Sequence, residues 1–294
     1  MKNICNIRSN LKKPVVTLGT FDGVHLGHKK ILAELVSRAK LIDGNSIVVT
    51  YHPHPIEILE ERKYPYLLSE KELKQELLKN MGVDYVLWFD FDKEKANMEP
   101  EKFVQEYFVE KLRSKEIILG YDWHFGKERK GDYHLLKKME DRYGFRVDMV
   151  KEKVINGEIV SSTKIRKYLK DGDVESANSM LGREYSISGE IVDVIDLNEK
   201  YYGYNFKKIE NRKLLPKAGL YKIKVAGVNK ELNAFMHIKN INQEDGKEII
   251  LYYDNDRKLQ NINNFKYIKI TENLDLEVNN LDNKMIYNLL HTQK

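Results

Sequence analysis

Two histidines and an aspartate follow a short apolar run near the start of the chain, in residues 14–28 (PVVTLGTFDGVHLGH). The apolar run has the pattern of a buried strand, three glycines let the backbone approach a ligand closely, and helical spacing follows over residues 29–42. Free N–H groups and the dipole at a helix start favour phosphate. His25 and His28 are three positions apart and can face one bound group. The segment predicts a phosphate site.

The same segment allows two other interpretations. Two histidines at this spacing could ligate zinc, but no third partner follows at metal-site spacing, and the only cysteine, Cys5, is far away along the chain. A purely structural glycine turn with incidental histidines also fits the local pattern. Phosphate binding, metal binding and a structural turn therefore stay open on these residues alone.

Two further loops follow predicted strands and carry side chains suited to a planar, phosphorylated ligand. In residues 50–55 (TYHPHP), two prolines stiffen a loop that contains His54. In residues 120–132 (GYDWHFGKERKGD), three glycines and three aromatic residues accompany Asp122. Aromatic rings can cover a flat ligand while Asp122 meets a hydroxyl, an amide or Mg²⁺. A solvated loop at 50–55 and a packed turn at 120–132 remain alternatives.

A second candidate phosphate site follows the dipeptide Asn156-Gly157, which predicts a two-residue hairpin turn. Residues 160–166 (VSSTKIR) come next, and their hydroxyl side chains start a predicted helix. An N-cap alone would explain these hydroxyls. The functional alternative is phosphate binding, because Arg166 returns to the same end of the helix and its guanidinium can bind phosphate through two hydrogen bonds.

Strand and helix patterns alternate from residue 14 to residue 155. This alternation predicts an α/β domain, with a parallel sheet covered by helices on both faces and ligands at the carboxyl ends of the strands. The helix at 71–80 has a capping box and an apolar leucine stripe, and we assign it a packing role. Predicted strands cover residues 46–51, 83–91 and 116–119, and predicted helices include 71–80, 133–143, 173–182 and one opened by Pro100.

After about residue 185 the pattern changes to short β-rich runs separated by turns. Their even spacing predicts a small antiparallel β-barrel. The runs cover residues 185–195, 219–228, 232–239, 247–253 and 265–270, and a helix-like stretch follows near 281–291.

Composition excludes several classes of protein. The 294 residues are 41% apolar with only six prolines, which indicates a folded chain long enough for two domains. The formal charge of +5 is spread along the chain, so we expect no nucleic-acid or membrane partner. We expect neither a signal peptide nor a membrane span. One cysteine indicates a reducing cytoplasm, with Cys5 a bystander.

The motifs together resemble a known family. Residues 19–28 (GTFDGVHLGH) contain the His-x-Gly-His signature of the nucleotidyltransferase superfamily, in a form similar to that of the bacterial FAD synthases. Residues 50–55 are similar to the family segment T-F-x-P-H-P, with Tyr51 replacing phenylalanine. Residues 120–131 are similar to G-x-D-F-x-F-G-x-x-R-x-G, and this stretch is the most family-specific. Residues 161–166 resemble S-S-T-x-I-R, and the resemblance covers roughly residues 14–190.

The resemblance implies adenylyl transfer from ATP to FMN by a Rossmann-like nucleotidyltransferase domain at residues 1–183, followed by a riboflavin-kinase-like barrel at 184–294. It implies ATP and FMN as substrates and Mg²⁺ as the metal, and it leaves the oligomeric state open. The implied catalytic residues are His25, His28 and Arg166. ATP would be bound by Gly19, Thr20, Phe21, Asp22, Gly23, Ser161, Ser162 and Thr163. The flavin would be bound by His54, Asp122, Phe125 and Arg129, and Asp122 would also be the metal ligand.

The barrel departs from the family pattern. Riboflavin kinases carry Gly-Phe-Pro-Thr-Ala-Asn, whose threonine and asparagine serve Mg²⁺ and phosphate, whereas residues 202–208 here read YGYNFKK. Pro216, Gly219 and Tyr221 match the following strand, and Glu248 is either the counterpart of a catalytic glutamate or a solvent-facing residue. We therefore predict a degenerate kinase domain. The alternatives are a bifunctional enzyme that also phosphorylates riboflavin, and a sensor that binds flavin or nucleotide without turnover.

Overall fold

The computed structural model describes residues 2–3, 11–59, 66–198, 201–226, 231–240, 247–254 and 267–274. Cys5 and the predicted helix at 281–291 lie outside these residues. The chain divides into two compact units, one formed by Met1–Lys63 and Lys71–Val160 and the other by Tyr64–Glu70 and Ser161–Lys294. The predicted domain boundary after residue 183 stays a prediction. No helix in the described part of the chain is long and apolar enough to cross a membrane.

The first unit contains a six-stranded parallel sheet in the order β1-β4-β3-β2-β5-β6. The predicted α/β class with a parallel sheet is therefore confirmed. The strands are β1 (Lys2–Asn3), β2 (Val15–Gly19), β3 (Ser46–Tyr51), β4 (Tyr85–Phe89), β5 (Glu116–Gly120) and β6 (Arg146–Val150). The α-helices are α1 (Leu26–Leu41), α2 (Pro55–Leu59), α3 (Lys71–Asn80), α4 (Lys93–Ala96), α5 (Pro100–Phe103) and α6 (Tyr133–Tyr143), and a small hairpin pairs β7 (Val154–Ile155) with β8 (Glu158–Ile159).

The central strands β2 and β3 are almost entirely buried and mostly apolar, as expected for a parallel sheet covered by helices on both faces. Successive residues point to opposite faces, so Val16 packs in one cluster with Phe103 and Phe108, and Val15 packs in another with Leu32 and Leu35 of α1. Burying each such side chain contributes about 1.5–3 kcal/mol. This two-sided core fixes the strand ends from which the candidate site loops leave.

Three elements of the first unit differ from the sequence prediction. Helix α1 begins at Leu26, three residues before the predicted start. The predicted strand at 83–91 is shorter and covers Tyr85–Phe89. The helix opened by Pro100 is α-helical only through Phe103 and continues as a π-helix over Val104–Lys111.

The described residues of the second unit form two helices and a curled seven-stranded antiparallel sheet, which confirms the predicted barrel-type domain. The sheet order is β10-β11-β14-β13-β12-β15-β9. Strand β11 was not predicted, since its sequence was interpreted only as the counterpart of a kinase motif. The elements are α7 (Ser162–Asp171), α8 (Val174–Leu181), β9 (Tyr185–Ile187), β10 (Gly189–Asn198), β11 (Tyr201–Lys208), β12 (Gly219–Ala226), β13 (Glu231–Asn240), β14 (Lys247–Asp254) and β15 (Ile268–Asn273).

A short segment before α3 belongs to the second unit. The backbone N–H groups of Tyr66 and Leu67 both donate to the carbonyl of Arg212, and Leu214 N–H donates to the carbonyl of Leu67. Lys213, fully buried, donates its Nζ to the carbonyl of Leu68 at 2.7 Å and forms an ion pair with Glu70 at 3.2 Å. The segment is therefore an integral part of the second unit's core.

Candidate active site

Three predicted site loops leave neighbouring strands at one edge of the parallel sheet. They follow Gly19 of β2, Tyr51 of β3 and Gly120 of β5, and β2 pairs with both of the other strands. The chain runs from β2 to β3 on one side and later returns to β5 on the other side. Such a switch point opens a crevice at the carboxyl ends of the strands, which is where α/β sheets bind ligands.

The histidine pair forms the start of α1. His25 is the N-cap residue, and its Nδ1 accepts a hydrogen bond from the backbone N–H of His28 at 3.3 Å. The two imidazole rings stack with their centroids 3.6 Å apart, and the ring of Phe21 lies 5.1 Å from that of His28. Because His25 is only 5% exposed, its ring orientation is fixed by packing as well as by this bond.

The backbone between β2 and α1 is strained. Phe21 and Val24 have φ angles of +45° and +40°, and Gly23 has +84°. A positive φ is unfavourable for a bulky or β-branched side chain and costs on the order of 1–3 kcal/mol. Both side chains are buried, so packing holds the turn in this conformation. Backbone strain that packing maintains is typical of functional turns.

Two side chains bind the carbonyl of Thr20 in this turn. Lys74 of α3 donates its Nζ at 2.8 Å, and Thr50 of β3 donates its Oγ1 at 3.0 Å. Burial lowers the pKa of Lys74, and the negative charge of the fully buried Asp22 works in the opposite direction. The turn thus contains a carboxylate with a cationic side chain near it.

Lys74 is not among the predicted site residues, because the sequence of α3 predicts a packing role for that helix. A signal was present, since Lys74 stands four positions before Leu78 and therefore lies on the apolar face of the helix. A lysine on a buried stripe needs a partner, which is a reason to suspect a role beyond packing.

The loop after β3 places His54 at the start of α2. The Nδ1 of His54 accepts a hydrogen bond from Ile56 N–H at 3.2 Å, and the His54 N–H donates to Glu57 Oε1 at 3.0 Å. His54 is half-buried. These contacts fix the histidine on the same sheet edge as the His25–His28 pair.

The loop after β5 is built around stacked aromatic rings. Trp123 and Phe125 stack with centroids 4.6 Å apart, so the replacement of the family's phenylalanine by Trp123 keeps a flat apolar surface. Phe125 and Gly131 exchange two backbone hydrogen bonds of 2.9 Å. A Cβ on Gly131 would lie 2.7 Å from the ring of Phe125, which explains why only glycine fits there.

Two charged side chains of this loop, Asp122 and Arg129, are exposed. The positive charge of Arg129 acts on Tyr51 at the end of β3. Burial raises the pKa of Tyr51, and the charge of Arg129 partly offsets this increase. The loop after β5 therefore presents the carboxylate of Asp122 and the guanidinium of Arg129 near an aromatic surface.

The side chains of the described residues indicate which kinds of metal ion could bind. Among the described residues, no group of three or more His, Cys, Asp or Glu side chains could hold a metal ion. A zinc site of the usual tetrahedral kind would need such a group. Mg²⁺ differs, because it commonly binds one or two carboxylates together with substrate phosphates and water. The exposed Asp122 fits that second mode.

The hydroxyl segment lies in the second unit. Ser161 is the N-cap of α7, and its side chain accepts a hydrogen bond from Lys164 N–H at 3.3 Å. Ser162 and Thr163 form the first turn of the helix. Arg166 donates its Nε to the carbonyl of Tyr66 at 2.8 Å. The predicted N-cap is therefore present, and the predicted phosphate-binding roles of these residues stay predictions.

The first unit is a Rossmann-like α/β domain, and its candidate ligand crevice follows β2 and β5. The model of the FAD synthetase family matches residues 7–164. The chain belongs to the FAD synthetase family.

Curated relatives are bifunctional riboflavin kinase/FMN adenylyltransferases. The protein from Buchnera aphidicola of Schizaphis graminum is 32% identical over 77% of this chain and 73% of its own length. The Escherichia coli K12 protein is 33% identical over 74% of this chain and 69% of its own, and the Bacillus subtilis protein is 31% identical over 77% and 71%.

The fold itself has a solved counterpart. A crystal structure from Streptococcus pneumoniae, described as a macrolide-efflux protein, aligns over 98% of this chain and 95% of its own with a TM-score of 0.83 and 22% identity. At this identity the similarity shows the fold alone.

Proposed function

We propose that this chain transfers AMP from ATP to FMN, giving FAD and pyrophosphate. The observation that carries the proposal is the position of the aromatic loop, which follows β5 directly beside the strand that leads to the histidine pair. The family model covers both segments. Membership of the FAD synthetase family and the names of the curated relatives support ATP and FMN as the substrates.

The proposed reaction is one in-line displacement. A phosphate oxygen of FMN forms a bond to the α-phosphorus of ATP, and the bond from that phosphorus to the bridging oxygen of the β-phosphate breaks. Pyrophosphate leaves with the electron pair of that bond. No covalent enzyme intermediate is needed, so positioning and charge stabilisation supply the rate.

In the first unit, the N-terminus of α1 and the His25–His28 pair bind the ATP phosphates and stabilise the charge that develops on them. The turn at Gly19–Gly23 lets the backbone approach the nucleotide. In the second unit, Ser161, Ser162, Thr163 and Arg166 are the proposed ligands of the β- and γ-phosphates. Their support is the N-terminus of α7 with its hydroxyl side chains.

The flavin side of the site is assigned to the loops after β3 and β5. The apolar surface around Phe125 covers the isoalloxazine ring, while His54 and Arg129 supply polar contacts. Asp122 would hold Mg²⁺ together with substrate phosphates, and the ion would neutralise their negative charge when bound. We place the enzyme in the cytoplasm, in keeping with its single cysteine.

An acceptor assay tests the proposal. The full chain is incubated with MgATP and either FMN or riboflavin, and the flavins are separated by chromatography while pyrophosphate is measured. We expect FAD and an equal amount of pyrophosphate from FMN. Tight FMN and ATP binding without pyrophosphate release would show a sensor and overturn the proposal.

The names of the curated relatives favour a second candidate, an enzyme that also phosphorylates riboflavin. The residues of β11 oppose it. Phe206 is buried and apolar, and Lys208 donates its Nζ to the carbonyls of Asn211 at 2.6 Å and Lys213 at 2.9 Å. Burial and the charge of Lys247 lower the pKa of Lys208 to about 8. Neither side chain can replace a metal-binding hydroxyl, so we expect no FMN in the riboflavin arm of the assay.

A further inference from the structure

A buried lysine stands behind the turn that connects β2 to α1. Lys74 is 5% exposed, although Glu72, Lys79 and Asn80 on the same helix are exposed to solvent. Lysine is almost never buried to this degree unless its ammonium group is paired. The burial of Lys74 therefore needs an explanation, whereas the burial of an apolar residue at the same position would not.

Among the described residues, the ammonium group of Lys74 donates a hydrogen bond to the carbonyl of Thr20, at 2.8 Å. The hydroxyl of Thr50 donates to the same oxygen at 3.0 Å. The two donors together use the hydrogen-bonding capacity of that carbonyl. The ammonium also lies 5.7 Å from the centre of the Trp88 ring, within range of a cation–π interaction.

The carbonyl of Thr20 and the N–H of Phe21 belong to one planar peptide unit. In a trans peptide these two groups point in opposite directions, so fixing the carbonyl also fixes the N–H. Phe21 has a φ of +45°, a conformation that the chain does not adopt without support. Lys74 thus anchors the strained turn at its first peptide.

Charge gives Lys74 a second effect on the same turn. Asp22 is fully buried, and its electrostatic attraction acts on the ammonium of Lys74. The negative charge of a buried carboxylate at this turn repels the phosphates of a bound nucleotide. A cation behind the turn offsets that repulsion and leaves the helix start attractive to anions.

We propose that Lys74 is a positioning residue for ATP: through the Thr20 carbonyl and the charge of Asp22 it holds the turn in its nucleotide-binding conformation. The inference rests on the proposed function and deepens it. Lys74 acts through the turn, so its loss weakens ATP binding and leaves FMN binding unchanged.

The chain offers a matched control on the same helix. Lys71, one turn earlier, places its ammonium 5.0 Å from the centre of the same Trp88 ring, and it makes no hydrogen bond or ion pair with the described residues. Lys71→Met and Lys74→Met therefore make the same chemical change beside the same aromatic residue. Only the second removes the hydrogen bond to Thr20.

The experiment measures the dissociation constants of ATP and of FMN separately by calorimetry on the full chain. We expect Lys74→Met to weaken ATP binding by about tenfold or more, the effect of losing a charged hydrogen bond, with FMN affinity within twofold of wild type. Lys71→Met should bind both ligands like wild type. In Lys74→Ala, added propylammonium should restore part of the lost ATP affinity, which a purely structural defect would not show.

Each contrary result is informative. ATP affinity within twofold of wild type in folded Lys74→Met overturns the inference, and so does an equal loss of ATP and FMN affinity. If Lys74→Met does not fold, Lys74→Ala is measured in its place, and ATP affinity within twofold of wild type there overturns the inference as well. A wild-type chain that binds ATP but makes no FAD would contradict the proposed function instead.

Discussion

The stacked imidazoles of His25 and His28 give the most direct test of the site. With the ring centroids 3.6 Å apart at the start of a helix, the pair is preorganised for one anionic group. We expect His28→Ala to lower the turnover number for FAD synthesis by about a hundredfold or more, as when one fixed charge stabiliser is lost. Steady-state kinetics with FMN and ATP measure this turnover number.

The control for that variant is His134→Ala, since His134 is exposed on α6. We expect it to retain wild-type turnover. A loss of less than threefold in His28→Ala would contradict the role assigned to the pair.

Among individual residues, the sequence predicted those that belong to a recognisable motif. It did not predict those that act through contacts with residues far away along the chain. His25 and His28 stand in a recognisable pattern of glycines and apolar residues. Lys74 and Thr50 are separated from Thr20 by 54 and 30 positions, so only the folded chain brings them to the Thr20 carbonyl. No local spacing rule contains that information.

At the scale of secondary-structure elements, the contribution of the N-cap of helix α7 to stability can be measured separately. Ser161 accepts the hydrogen bond from Lys164 N–H, and losing such an N-cap costs about 1 kcal/mol. We expect Ser161→Ala to lower the free energy of unfolding by that amount in urea titrations. Ser179→Ala, at an exposed site inside α8, should leave it unchanged, and equal stabilities of the two variants would exclude a capping role.

Element boundaries were predictable where the chain marks them chemically. The turn at Asn156-Gly157 has the positive φ angles of +49° and +77° that this dipeptide favours, and α3 has the predicted bounds. The π-helix at Val104–Lys111 was not predictable, because its apolar spacing also fits an α-helix. Strand β11 was missed because residues 202–208 were compared only with a kinase motif, although their aromatic residues favour a strand, and its two neighbouring strands, β10 and β14, pair with it.

For the whole molecule, a buried histidine predicts how stability depends on pH. His237 in β13 is 3% exposed, and burial, assisted by the charge of Lys239, lowers its pKa from 6.5 to about 4. Between these values the unfolded chain binds the proton and the folded chain does not. Stability is therefore lost as pH falls from 6.5 toward 4, by at most about 3 kcal/mol.

The measurement is urea unfolding of wild type and His237→Gln at several pH values in that window. We expect the variant to lose less stability than wild type on acidification. Parallel curves for the two proteins would show that His237 does not titrate as its burial implies.

The short segment before α3 bears on how the gene can evolve. A deletion of the 3′ portion that encodes residues 161–294 would leave Tyr66, Leu67 and Leu68, each no more than 8% exposed, without the backbone of residues 212–214 that binds them. It would also leave Glu70 without its ammonium partner. Newly exposed apolar side chains promote aggregation. Natural selection can thus retain the downstream coding sequence for solubility alone, even in a lineage where its ancestral chemistry has decayed.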